Sequence, residues 1–358
     1  MVLSDLMVRL RRVRQAHRSR SLRHLCPPDH FRKTIERERA RTDRNGDPFS
    51  LITFAAREPE TSEDTFTHLV KILQGRLRRT DEIGWLDDQH VAAVLPSTPL
   101  EGAAKVADDI CLGFPDDRLP PQCEIYCYPS DYRIEVERAG RAPRRAETPA
   151  RSMGPLFIKP LPLGKRCLDV LGAVAGLIVL APLFVLLAVA IKLTSPGPVL
   201  FRQYRAGLGG RRFALYKFRS MTADAEAKKG RLLRLNEQDG PAFKVRRDPR
   251  VTRLGQFLRR TCLDELPQLW NVLRGDMTLV GPRPLPCEEA AACEHWQNRR
   301  LDVTPGLTCQ WQVRGTLQTP FSDWVRMDIR YIESRSLLKD LTLLLLTVPA
   351  ILKGKGRW

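Results

Sequence analysis

Residues 165–192 read KRCLDVLGAVAGLIVLAPLFVLLAVAIK. From Val170 to Ile191 no side chain is charged. As a helix this run is about 33 Å long, enough to cross a hydrocarbon layer. It has no polar face, which a helix on the surface of a soluble core would show. Pro182 lies at its centre, where the missing N–H removes a hydrogen bond and bends the chain. Gly172 and Gly176 predict further flexibility. Lys165 and Arg166 precede the run; Lys192 closes it, and Arg202 and Arg205 follow. Positive charge on both flanks selects no inside or outside. Two topologies therefore stand: a kinked helix that spans, and a hairpin bent at Pro182 that returns to the face it entered. The second requires a donor for the carbonyl that the proline orphans. Asp169, in the first turn, complements the helix dipole or pairs with Lys165 or Arg166; indirect positioning of a lipid phosphate is the functional alternative.

Further along, residues 261–284 read TCLDELPQLWNVLRGDMTLVGPRP. Leu266, Leu269, Trp270 and Leu273 recur at helical spacing, Pro267 suits a first turn, and Gly275 stops the helix. Asp264 and Glu265 then sit at the amino end, where backbone N–H groups also attract phosphate. Thr261 and Asp264 carry the spacing of a capping box, so a structural role for the acids competes with a chemical one. Pro282 and Pro284 restrict the backbone around Arg283 and aim one guanidinium, an arrangement suited to phosphate; a rigid turn with a solvated arginine is the alternative. Upstream, Arg202, Arg205, Arg211, Arg212, Lys217 and Arg219 alternate with Phe213, Leu215 and Phe218. That pattern predicts strands with one cationic face. Gly207, Gly209 and Gly210 form either an anion-approaching loop or an ordinary hairpin. Downstream, VTPGLTCQWQVRG offers Gln310, Gln312 and Arg314 beside a Pro-Gly turn, followed by Asp323, Asp328 and Tyr331.

The formal net charge of +18 implies an anionic partner: nucleic acid, an acidic membrane face or a phosphorylated substrate. At 358 residues two domains are expected. The nine cysteines form no C-x-x-C pair and no disulfide framework, which points to a reducing compartment and against zinc. Cys262, two residues from Asp264, has no evident histidine partner and reads as a small core residue. The N-terminus, MVLSDLMVRLRRVRQAHRSRSLRHL, has no secretory signal pattern. Residues 1–39 are expected as a basic arm, in which Leu3, Leu6, Leu10 and Val13 could line an amphipathic helix.

Between the arm and the apolar run, FSLITFAA at 49–56 predicts a buried strand and 62–78 a helix with Ser62 as N-cap. Strands near 83–86 and 91–95 flank Asp87-Asp88-Gln89, a helix covers 100–112 and a last strand 122–128. The order β-α-β-β-α-β is the ferredoxin-like split unit. RRTDEIGWLDDQHVAAVLPST resembles the central hairpin of GGDEF domains, the diguanylate cyclases. Anchored on Val94-Leu95-Pro96, the signature falls on Asp87, Asp88, Gln89, His90 and Val91. Its glycines and acidic motif are gone, and strand 49–56 lacks the carboxylates that hold metal in that family. Residues 40–135 are therefore expected as a degenerate, non-cyclising regulatory or dimerising module, with Asp87 and Asp88 at a solvated turn tip. Residues 136–160, rich in Arg, Ala and Pro, are expected as a linker.

The second half resembles the bacterial sugar transferases, the monotopic polyprenyl-phosphate hexose-1-phosphate transferases that initiate exopolysaccharide, O-antigen and capsule synthesis. Spaced motifs carry the resemblance in order: KRCLDVLG, the apolar run with Pro182, SPGPVLFRQYRAG, FALYKFRSM, LRRTCLDELPQLWNVLRGDMTLVGPRP, VTPGLTCQWQVRG and YIESRSLLKDL. The resemblance implies an α+β chain, in which the ferredoxin-like module precedes a membrane-embedded catalytic domain at 161–358 with a re-entrant helix at 166–192. It implies a UDP-hexose donor, undecaprenyl phosphate as acceptor, and the cytoplasmic leaflet of the inner membrane. Asp264 is then the nucleophile that forms a phosphosugar–enzyme intermediate and expels UMP, and Asp264 with Glu265 is the expected Mg²⁺ site. Lys217, Arg219, Arg259, Arg260 and Arg283 are expected to neutralise phosphoryl charge. Pro282, Pro284, Gln312, Arg314 and Asp328 complete the expected substrate-binding set, and Pro182 the membrane kink. Residues 337–353 are expected as an amphipathic helix on the membrane. A spanning helix would carry residues 193–358 away from nucleotide-activated donors, which favours re-entrance. The chain departs from the family pattern at three places: Cys262 precedes Leu-Asp-Glu where Ser or Thr is usual, Cys309 replaces a glycine, and Ala181 precedes Pro182 where some members have Ser.

Two rival readings carry less. A membrane-tethered scaffold with an inactive second half does not need the intact Asp264–Glu265 pair. A nucleic-acid partner has only the net charge behind it, without aromatic side chains interleaved along a basic platform. The identity of the sugar, a ligand for the first module and the oligomeric state, including a homodimer, are not encoded in any motif.

Overall fold

The structure, a computed structural model, describes residues 20–57, 62–115, 119–130, 150–245, 247–314 and 319–352. The described residues up to 130 and those at 150–153 make an N-terminal unit, and those from 154 onward a C-terminal unit. The leucine-bearing start of the basic arm and residues 136–149 of the expected linker lie outside the described residues.

The arm does not persist to residue 39. Helix α1 (Pro28–Asn45) buries Phe31 and Ile35 among its many charges. Its apolar stripe is only two side chains wide, completed by Thr34, Glu38 and Thr42, and the surrounding arginines conceal it in the sequence. Strand β1 (Phe49–Ala55) follows, then α2 (Ser62–Arg76), β2 (Glu82–Trp85), β3 (His90–Leu95), α3 (Leu100–Leu112) and β4 (Gln122–Tyr128). The sheet order is β2-β3-β1-β4-β5, with β1 antiparallel to both β3 and β4. The first four strands form the ferredoxin-like unit that the sequence predicts. β5 (Ala150–Ser152) adds a parallel strand against β4, so residues expected as linker extend the sheet instead. Ile52, Phe54, Leu69, Leu73, Val91 and Ile110 are fully buried beneath it. Burial of each such side chain contributes about 1.5–3 kcal/mol. At the hairpin tip the Asp87 carboxylate accepts from the backbone N–H of Gln89 at 2.8 Å and of His90 at 2.9 Å, and from the His90 ring. It is committed to closing the turn.

The C-terminal unit opens with α4 (Leu163–Val179) and α5 (Ala181–Thr194). The run at 166–192, expected to bend at Pro182, forms two helices set at 60° to one another. No single described helix is long and apolar enough to cross a membrane. The break falls at Leu180, and Pro182 lies in the first turn of α5, where its missing N–H costs nothing. Proline orphans the Ile178 carbonyl, and the Leu180 N–H reaches both that carbonyl and Gly176. Gly172 and Gly176 pack closely and do not act as hinges: a Cβ on either would stand 2.8 and 3.0 Å from Leu279 and Leu269.

The hairpin β6 (Leu200–Ala206) and β7 (Arg212–Phe218) comes next, its turn built by Gly209 and Gly210 at positive φ. The glycines thus serve the ordinary hairpin. The remaining helices are α6 (Ala225–Leu232), α7 (Arg253–Arg260), α8 (Gln268–Arg274), α9 (Cys287–Ala291), α10 (Gln310–Arg314), α11 (Phe321–Glu333) and α12 (Leu337–Leu352). Strands β8 (Thr278–Val280) and β9 (Gly306–Thr308) pair in parallel. Lys165 enters the interior of this unit and meets Asp340 at 2.5 Å and the Val280 carbonyl at 2.8 Å, tying α12 to α4. Asp169 accepts from Thr278 Oγ1 and the Leu279 N–H. Its role is structural, fixing α4 onto β8.

Candidate active site

Asp264 and Glu265 reach their positions through a sharp local turn. α7 ends at Arg260, and the Thr261 hydroxyl donates back to the Phe257 carbonyl at 2.9 Å. Thr261 is thus the C-cap of α7, and the capping-box reading falls. Cys262 takes a left-handed backbone (φ 55°), uncommon for a non-glycine residue, and reverses the chain. A single 3₁₀ turn, Leu263–Glu265, carries the two acids, and Pro267 leads into α8. Helix α8 is docked by Asn271, fully buried, whose amide accepts from the Tyr216 N–H at 3.1 Å and donates to the Ala214 carbonyl at 2.7 Å. That contact sets β7 against α8 and brings Lys217 to the acids.

The two carboxylates differ sharply. Glu265 accepts from Lys217 Nζ at 2.8 Å and from both terminal nitrogens of Arg283, one at 3.1 Å. Burial pushes its carboxyl up, but the charges of Arg283 and Lys217 overcome this and hold it well below the usual carboxylate range. Asp264 is 6% exposed, and no hydrogen bond is donated to its carboxylate among the described residues. Burial raises its carboxyl against the pull of Lys217, and the charge on Glu265 adds to the rise. A desolvated carboxylate without donors is more basic, and more nucleophilic, than a bonded one.

Both acids line a cavity of about 310 Å³. Lys217, Arg219, Arg259, Arg283 and Pro284 line it as well, so the structure brings together five of the expected binding residues. Arg219 is 6% exposed and donates to the Ser195 carbonyl and hydroxyl at 2.7 and 2.8 Å. Its Nε and Nη1 are buried and have no hydrogen-bond partner among the described residues. Arg259 donates to Ser220 Oγ at 2.9 Å. The other expected residues lie elsewhere. Arg260, next to Arg259, turns out to solvent because consecutive helical residues point about 100° apart. Arg314 is exposed at the end of α10. Gln312 accepts from the Cys309 thiol, and the Pro282 carbonyl accepts from the Gly306 N–H; neither lines the cavity. Asp328 is buried behind the wall, paired with Arg300 at 2.7 Å. Burial pushes its carboxyl up to about 6 against the charge of Arg300. Pro182 lies in the first turn of α5, two residues past the break at Leu180. Burial, with the charges of Glu265 and Asp264 adding, pushes the Cys262 thiol up to about 11, so it stays protonated and is no nucleophile at neutral pH.

Sequence reasoning missed Arg300, whose guanidinium lines the cavity and also donates to the Arg283 carbonyl at 2.9 Å. It missed Arg205 as a site residue too. Arg205 donates to the Pro284 carbonyl at 2.8 Å and to Gln203, bracing the Pro-Arg-Pro frame from β6. Asn271 and the stacked Trp311 and Trp324 rings, 4.4 Å apart, complete the unpredicted set. Of these only Asn271 leaves a trace in the sequence, as a polar residue amid the apolar positions of a short helix.

Glu265's oxygens are taken by Lys217 and Arg283, so Asp264 supplies the carboxylate available to a cation. Among the described residues no group of three or more His, Cys, Asp or Glu side chains gathers to hold a metal. The donor set suits Mg²⁺, which uses one or two carboxylates with substrate phosphates and water, better than a fully protein-bound ion.

Residues 161–354 match the family model described as bacterial sugar transferase. A galactosyl transferase, CpsE, of Streptococcus agalactiae serotype III is 43% identical over 195 residues, covering 54% of this chain and 43% of that protein. A UDP-glucose:undecaprenyl-phosphate glucose-1-phosphate transferase of Caulobacter vibrioides is 43% identical over 217 residues, covering 56% of this chain and 74% of that protein. A UDP-galactose-lipid carrier transferase of Erwinia amylovora is 37% identical over 199 residues, covering 54% and 41%. The chain thus spans less than half of the streptococcal and Erwinia proteins. Among solved structures, the GGDEF domain of TpbB (YfiN) from Pseudomonas aeruginosa covers 32% of this chain and 76% of its own, at 17% identity and a TM-score of 0.27. The fold of the N-terminal unit stands on its strand order, independently of that slight likeness.

Proposed function

The chain belongs to the bacterial sugar transferase family, and from that we propose that it moves a hexose 1-phosphate from a UDP-hexose to undecaprenyl phosphate. One observation carries the reading: two adjacent buried carboxylates, one clamped by Lys217 and Arg283 and the other free of donors, face one cationic cavity. An Asp264 carboxylate oxygen attacks the sugar-proximal phosphorus. The bond from that phosphorus to the bridging oxygen breaks, and UMP leaves with the electron pair. A phosphate oxygen of undecaprenyl phosphate then attacks the same phosphorus and returns Asp264 as carboxylate. Splitting one transfer into two substitutions is what carboxylate nucleophiles do.

Glu265 does not need to react. It holds Lys217 and Arg283 in place, and these with Arg259 and Arg219 stabilise the equatorial phosphoryl oxygens as charge grows. A magnesium ion, held by Asp264 with donor phosphates and water, would neutralise further charge and favour departure of UMP. Basicity of Asp264 and pre-alignment of the cations are the contributions of this chain's own residues.

The membrane reading rests on the helix pair and α12. Leu171, Ile178, Val179, Val185 and Leu186 on α4 and α5, and Leu338, Leu345 and Leu352 on α12, are between 65% and 79% exposed. Exposed apolar surface on that scale marks a lipid or protein contact. The 60° bend and cationic flanks suit a segment that enters and leaves the cytoplasmic leaflet of the inner membrane. Incubation with undecaprenyl phosphate and a panel of UDP-hexoses, scored by UMP release, tests the activity. Release with at least one donor is expected, and the enzyme incubated with that donor alone should gain the mass of one phosphohexose on Asp264. A chain that releases no UMP with any donor ends the reading.

A further inference from the structure

Of the five carboxylates on the cavity wall, the mechanism leaves three unused: Glu226, Asp248 and Glu289. Glu289 sits on α9, with its side chain 13% exposed. Lys229 Nζ stands 4.0 Å from its Oε1, the outer limit of an ion pair. Apart from Asp264, the other carboxylates of the cavity are paired or solvated. Asp248 is taken by Arg250 through contacts of 2.9, 3.1 and 2.6 Å, Glu265 is clamped, and Glu226 opens to solvent. On the same wall the Phe243 ring lies below Lys229 and Arg250, 5.7 and 5.4 Å from its centre.

A carboxylate in this place repels phosphate and accepts hydrogen bonds from hydroxyls. Beside it, an aromatic face and an ammonium suit the C–H face and the ring hydroxyls of a pyranose. The position in the donor follows from connectivity. Arg205 donates to the Pro284 carbonyl at 2.8 Å beside Arg283 and bridges to Pro286 just before α9, so Glu289 shares one stretch of cavity wall with the Glu265–Arg283 clamp. The hexose is joined to the attacked phosphorus itself, whereas the base is separated from it by a second phosphate and a ribose. Resting on the function proposed above, we propose that Glu289, with Phe243 and Lys229, forms the subsite that binds the hexose of the donor and selects among hexoses by their hydroxyl pattern.

The experiment uses the full chain with undecaprenyl phosphate and compares wild type, Glu289→Gln and Glu289→Asp. UDP-glucose, UDP-galactose and UDP-N-acetylglucosamine are the donors, and competitive inhibition by UMP is measured in parallel. Loss of the carboxylate should raise KM for the preferred donor and change the kcat/KM ratio between two hexoses by about tenfold or more, as a buried polar discriminator does. UMP inhibition, which needs no hexose, should stay unchanged, and Glu289→Asp should fall between. If UMP inhibition weakens in step with KM, the carboxylate serves the nucleotide end and the proposal is overturned. Equal losses for all three donors, or no change, overturn it as well. Should Glu289→Gln fail to fold, Glu289→Asp carries the same comparison. A wild type inactive with every donor brings down the proposed function, and this inference with it.

Discussion

The two units differ in how deeply they bury ion pairs, although both carry pairs at the surface. In the N-terminal unit the ion pairs Arg37–Glu82 and Arg76–Asp109 sit at the surface, with their arginines 64% and 40% exposed. In the C-terminal unit Lys165–Asp340 and Arg300–Asp328 are at most 7% exposed, and Lys217–Glu265 at most 17%. Removing ions from water costs several kcal/mol each, and attraction restores this only with good geometry and further hydrogen bonds. A fold that needs stability alone can close over apolar side chains, as the first unit does over Ile52, Phe54 and Val91. A fold that must neutralise phosphoryl charge has to keep cations in a dry cavity, and therefore has to bury the carboxylates that hold them there.

Five substitutions test that contrast, the most damaging first. Asp264→Asn removes the proposed nucleophile while leaving Glu265 clamped, and UMP release should fall by at least about a thousandfold. Transfer surviving in that variant would place the nucleophile elsewhere. Glu265→Gln leaves Lys217 and Arg283 buried beside a neutral amide and should lower unfolding free energy by about 3–5 kcal/mol, whereas Arg37→Gln should change it by less than about 1 kcal/mol. Denaturant melts of both variants read the difference, and similar losses would dissolve the distinction between the units. Arg259→Ala should reduce transfer by about ten- to a hundredfold through lost charge at the cavity, while Arg260→Ala, one residue on but in solvent, should leave kcat/KM within about twofold.

The smallest effect concerns pH. Burial raises Asp328 to about 6 in the folded chain, above its unfolded value of about 3.9. The folded state therefore binds the extra proton, and this group's stabilising contribution, fully present below about pH 4, is lost as pH rises through about 6. Asp328→Asn removes that dependence, so the difference in stability between variant and wild type should vary over this window and level off above it. A difference independent of pH would mean that Asp328 remains ionised throughout.

What was legible in the sequence follows from local periodicity. Six of the elements in the first unit have their predicted bounds within two residues, because each alternation or helical stripe carries its own apolar face. Helix α1 escaped because its stripe is only Phe31 and Ile35 in a field of arginines. The motifs were visible through spacing that local periodicity and rigid prolines preserve, but spacing alone left Asp264 open to a capping role, and its chemistry came from the family resemblance. The cavity wall was not visible. Lys217 meets Glu265, and Arg300 meets Asp328, across 48 and 28 residues, separations that no periodicity spans. Arg259 and Arg260 look alike in the sequence and differ only by one helical step.

The order of residues alone determined an apolar run interrupted by proline, an acid pair beside a rigid arginine, and an alternating-strand module before them. Each of these is short-range, set by backbone sterics and by which side chains water excludes. Tertiary structure decided which acid is clamped and which is free, which arginines reach the cavity, and that the long run breaks at Leu180. Those outcomes depend on distances between side chains remote in the chain, and only packing against Asn271, Leu269 and Leu279 sets them.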